Sequence, residues 1–158
     1  MDNRPTGSAW DDAPPEAIRV LVECPDYKSP SVIAELIERD GYAVRVCGGP
    51  DRDHSCPMVT ERSCTLVNGA DVVVNLLSGP DRQPQAVIGA ITSERRPPQV
   101  VTQMPTPTIA RRNADDDWDF DRDRVTILSG PLSSAAIMEG IQAALRRRDR
   151  PQSQWGDH

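Results

Sequence analysis

At 158 residues the chain has the length of one domain with a single core. Its formal net charge of −6 runs against a surface that neutralises phosphate backbones or anionic lipid, so neither nucleic acid nor membrane partners are expected. No stretch reaches the roughly 18 consecutive apolar residues of a membrane span, and "MDNRPTGSAWDDAPPEA" is acidic and proline-bearing where a signal peptide is basic and then apolar. A cytoplasmic protein with reduced cysteines is the expectation.

Residues 1–15 carry Pro5, Pro14 and Pro15 among polar residues and read as a flexible N-terminal arm, and residues 149–158 read as a flexible tail. Between them lies one domain, 16–148. "AIRVLVE" (17–23) is a strand apolar enough to be buried on both faces. Ser29 then caps a helix that starts at Pro30, carries Val32, Ile33, Leu36 and Ile37 on one stripe and ends at Gly41. "YAVRVC" (42–47) and "ADVVVNLLSG" (70–79) are the second and third strands. The crossover between them, 48–69, has no clean stripe. Val87, Ile88 and Ile91 recur at helical spacing within 84–94, closed by Pro97 and Pro98. "QVVTQM" (99–104) is the fourth strand, the polar segment 105–123 has room for at most one short helix, and "RVTILSG" (124–130) is the fifth strand. A last helix follows, with Ser133 or Ser134 as cap, Ile137, Met138, Ile141 and Leu145 turned inward, and arginines in its final turn.

Strand and helix alternate about five times, which predicts a three-layer α/β domain with a five-stranded parallel sheet of flavodoxin-like order. In such a domain the functional groups stand beyond the carboxyl ends of the strands. There is no GxxxxGK[ST] or GxGxxG, and the two histidines, His54 and His158, sit in no nucleophile motif. An enzyme is therefore not expected.

"IRVLVECPDYKSPSVIAELIERDGYAVRVC" (18–47) resembles the opening of a bacterial response-regulator receiver domain: strand, acidic turn, amphipathic helix, "GY", strand. By pattern the resemblance extends over residues 17–148. It implies two acids that end strand one and hold Mg²⁺, a phosphate-accepting Asp at the end of strand three, a Thr or Ser at the end of strand four and a Lys at the end of strand five. The matching positions are Glu23 and Cys24, Asn75, Thr102 and Ser129. Only Glu23 and Thr102 fit. Asn75 has no anionic oxygen to attack phosphorus, Ser129 supplies no ammonium, and Cys24 replaces a hard oxygen ligand with sulfur; Asp26 is the one nearby acid that could stand in for it, and it is not expected to. The implied protein is a pseudo-receiver that needs no cofactor and regulates through a protein partner.

Cys24, Cys47, Cys56 and Cys64 keep a second reading open. Cys24 and Cys47 follow strands that should be neighbours, and Cys56 and Cys64 lie in the next crossover, so four thiolates could ligate zinc or an iron–sulfur cluster, with His54 as a substitute ligand. Against this there is no CxxC knuckle; buried small hydrophobes and a reversible disulfide or thiol sensor are the alternatives. Asp117, Asp119 and Asp121 fail the EF-hand pattern, which wants Gly at Arg122 and Glu at Leu128. Trp118 and Phe120 alternate with these acids. They either pin the loop to the core or form an exposed partner-binding pair.

Overall fold

A computed structural model of the chain describes residues 10–25, 29–48, 56–61, 63–77, 83–104, 106–115, 120–129 and 131–149. Five strands, β1 (Arg19–Glu23), β2 (Ala43–Cys47), β3 (Val72–Asn75), β4 (Gln99–Met104) and β5 (Val125–Ser129), form one parallel sheet in the order β2-β1-β3-β4-β5. This is the flavodoxin-like order the alternation predicts. The helices are α1 (Pro30–Glu38), α2 (Pro57–Thr60), α3 (Thr65–Asn68), α4 (Gln83–Thr92), α5 (Thr106–Asp115) and α6 (Ser134–Arg148).

Successive side chains of a strand leave on opposite faces, and the valine-rich strands accordingly feed two cores. Val20, Val22, Val44, Val72, Val74 and Val101 pack with Ile33 and Ile37 of α1 and with Ile137, Ile141 and Leu145 of α6. On the other face Leu21, Val73, Val100 and Val125 pack with Met58 of α2, Val67 of α3 and Val87, Ile88 and Ile91 of α4.

Three local expectations change. Ser29 precedes α1 but sits in the left-handed region at φ 56° and makes no side-chain capping bond; Pro30 alone provides the start signal. Val32, expected on the buried stripe, is 64% exposed. The inward positions are Ile33 and Ile37, one helical repeat apart, and Gly41 at φ +92° closes the helix. The second crossover supplies two one-turn helices, and the fourth a ten-residue helix, α5, followed by a 3-10 turn at Arg122–Arg124.

Ser133 does cap α6, its Oγ accepting from the Ala136 N–H at 3.1 Å. Ser133→Ala removes that acceptor and is expected to cost about 1 kcal/mol, read from the shift in a urea unfolding midpoint.

The largest departure is at the N-terminal segment. Residue 10 falls within the stretch expected to be a flexible arm, yet Trp10 is 1% exposed. Its Nε1–H donates to the Leu66 carbonyl at 2.8 Å, and the Arg45 guanidinium lies 5.3 Å from its ring centroid while also pairing with Asp12. Gly69 makes the seat: a β-carbon there would stand 2.3 Å from Trp10 Cδ1. Sequence pattern misses this because one aromatic among polar residues has no period to betray burial.

Candidate functional site

Parallel register fixes which groups meet at the carboxyl ends of the strands. Glu23 is paired with Cys47 on one side and Asn75 on the other, and Asn75 is paired with Thr102. Register partners share a face, so Cys47, Glu23, Asn75 and Thr102 form a row across four strands, facing the α2–α5 layer. Glu23, Asn75 and Thr102 are 2%, 0% and 3% exposed. Ser129 is paired with Met104, two residues beyond the row, and is exposed.

The centre of the row is a hydrogen bond from Asn75 Nδ2 to Glu23 Oε1, 3.1 Å long and buried. Asn75 Oδ1 is buried without a hydrogen-bond partner. Burial pushes the Glu23 carboxyl up to about 7, against a smaller opposite pull from the Asn75 bond. The site therefore holds a carboxyl that is largely protonated below neutral pH, beside a carboxamide.

These residues do not fit the Mg²⁺ that the resemblance implies. The row contains one carboxylate, its neighbour is an amide whose nitrogen faces it, and a hard divalent ion takes six or more oxygens. Cys24 is no help, since it follows Glu23 by one residue and packs on the opposite face of the sheet with α1 and α6. Asp26 lies outside the described residues.

The same parity separates the cysteines. Cys47, Cys56 and Cys64 pack against the α2–α5 core, while Cys24 is fully buried in the other. The four-sulfur zinc or iron–sulfur centre therefore does not assemble. Among the described residues no three His, Cys, Asp or Glu side chains are grouped to hold a metal ion; His54 is outside them. Sharing the carboxyl edge of two neighbouring strands does not bring Cys24 and Cys47 together, because their side chains leave on opposite faces. Cys56 instead shares its core with Cys47 and Cys64: burial pushes its thiol up, against an opposite pull from the Met58 and Val59 N–H groups, with Glu23 and Cys64 adding a smaller upward push. The sequence reading missed this neighbourhood, which depends on where α2 and α3 settle.

Phe120 is 8% exposed and packs in the α2–α5 core, so an exposed aromatic pair is not formed; Trp118 lies outside the described residues. Among the described residues no helix is long and apolar enough to cross a membrane.

No family model and no curated protein matches the chain. Solved structures do. A CheY-like response regulator receiver domain from Methanospirillum hungatei superposes with a TM-score of 0.57 at 12% identity, over 84% of this chain and 97% of that one. The signal receiver domain of a Luxo repressor protein from Vibrio parahaemolyticus gives 0.56 at 16%, over 90% and 99%. That of a signal transduction histidine kinase from Syntrophus aciditrophicus gives 0.58 at 11%, over 87% and 96%.

The chain has the receiver fold. Within it the Glu23–Asn75 bond stands at the carboxyl end of the two central strands, the place where ligands meet open α/β sheets.

Proposed function

We propose that this receiver-fold domain is a non-catalytic regulatory module in signal transduction, acting through contact with a protein partner and not through phosphorylation of its own third strand. The observation that carries the reading is the Asn75 carboxamide, held by its nitrogen against Glu23 at 3.1 Å. An amide has no anionic oxygen with which to open a phosphoryl donor. Two further features support it. Glu23 is pushed toward its neutral form, and the residue at the end of β5 is Ser129, which brings no positive charge to balance phosphoryl oxygens. The role requires no bound cofactor.

The test is incubation of the full chain with acetyl phosphate and Mg²⁺, followed by intact mass measurement. No phosphoryl adduct is expected, and none with Asn75→Ala. A stoichiometric adduct that is lost in the Asn75→Ala variant, or maps to the Glu23 peptide, would overturn the reading.

A further inference from the structure

We infer that Cys56 and Cys64 are a disulfide-forming pair, a site of reversible thiol oxidation on the α2–α5 side of the sheet, the side that the Glu23–Asn75 bond faces. The inference is independent of the regulatory reading above.

The chain geometry brings the two residues together. The Ser63 N–H donates to the Pro57 carbonyl at 3.4 Å. That bond closes the neck of the loop 57–63, and the cysteines flank the neck, one on each side. Both are in extended backbone, Cys56 at φ −72°, ψ 122° and Cys64 at φ −148°, ψ 126°. Each precedes a one-turn helix, α2 or α3, and both side chains pack into the same core, half-buried. Cys64 and Glu23 are also the two acidic neighbours that bear on Cys56. Each cysteine is thus one residue from the hydrogen bond that ties the two segments together, which puts their α-carbons on the scale of the roughly 4.4–6.8 Å that a disulfide spans. Cys24 is excluded by the sheet between them. Cys47 belongs to the same core but is held in β2 as the register partner of Glu23.

Oxidised glutathione is a sufficient oxidant. One cysteine thiolate attacks its S–S bond, forming a mixed disulfide and releasing one glutathione thiolate. The second cysteine thiolate then attacks the protein-bound sulfur and releases the other. The pair loses two electrons, glutathione disulfide gains them, and the two protons leaving the cysteines end on the two glutathiones. Reduction by excess glutathione runs the same steps backward.

The experiment equilibrates the full-length protein across a series of reduced-to-oxidised glutathione ratios, quenches with acid, alkylates in denaturant and maps peptides by mass. At the reducing end all four cysteines carry the alkyl group. At the oxidising end two are expected to lose it, with a peptide linked through Cys56 and Cys64, while Cys24 and Cys47 stay alkylated. Cys64→Ser should leave the remaining thiols alkylatable or trapped as a single glutathione adduct on Cys56, with no intramolecular link. Retention of all four alkyl groups at the most oxidising ratio, or a link involving Cys24 or Cys47, would overturn the assignment. Neither result bears on whether Asn75 accepts phosphate.

Discussion

Glu23→Gln stabilises the protein at pH 8, by about 3 kcal/mol if the whole displacement of its carboxyl is released. The folded protein holds that group at about 7, against an ordinary value of 4.5. Between these two values the folded state keeps a proton that the unfolded chain has given up, so stability falls as pH rises from 4.5 toward 7. Below 4.5 both states are protonated, and above 7 both are ionised, so the penalty then stays constant. Gln has the same shape and carries no charge. It can accept the Asn75 Nδ2–H as Glu23 does, and it adds an N–H in a place where Asn75 Oδ1 is buried without a donor. Urea unfolding of both proteins at pH 5 and pH 8 checks this. The stability difference between them should widen toward pH 8, with the variant the more stable. A variant less stable at pH 8 would mean that the Glu23 carboxylate is held by a cation, and the account of the site would fail.

Trp10→Ala is expected to be the most damaging single truncation, at about 3–5 kcal/mol, the range for emptying a buried aromatic site. Three losses add together. The indole leaves a cavity in the α2–α5 core, the Leu66 carbonyl loses its donor, and Arg45 loses the ring it lies against. Urea unfolding gives the magnitude, and an Asp12→Ala variant, which removes an exposed ion pair with Arg45 and a local backbone hydrogen bond, should cost well under 1 kcal/mol by comparison. If Trp10→Ala cost no more than Asp12→Ala, residues 10–15 would be an arm after all. Gly69→Ala attacks the same seat from below, and a double-mutant cycle with Trp10→Ala should show strong coupling, since the added methyl collides only when the indole is present.

How much of this was legible in the sequence depends on whether a feature repeats. The strands announce themselves as runs of valine, and α6 through Ile137, Ile141 and Leu145, because burial on a regular element imposes a period. The order of the strands followed from alternation and chain length. The site was half visible. Glu23, Asn75 and Thr102 were marked as positions, and register then placed them side by side. What went astray was parity. Cys24 follows Glu23 directly, and in a pleated strand that single step is enough to send it to the other core. The rule was available in the sequence; its application needed the register that pairs Cys47 with Glu23 and not with Cys24. Trp10 and the Cys56–Cys64 neighbourhood have no period at all. They depend on contacts between segments far apart in sequence, or on how two one-turn helices settle, and these are decided by the finished fold.

The seat of Trp10 also bears on the order of events during synthesis. The indole leaves the ribosome before any of its partners, which are Arg45, the Leu66 carbonyl and the gap at Gly69, the hydrogen bond alone spanning 56 residues. Until that length of chain has emerged, the tryptophan has nowhere to go. Closing so long a loop is an entropic cost met late, so the segment that carries Trp10 docks well after it is made. A growing chain of this protein thus carries an uncovered aromatic while the 56 residues from Trp10 to Leu66 are added, available in that interval to whatever else in the cell binds one.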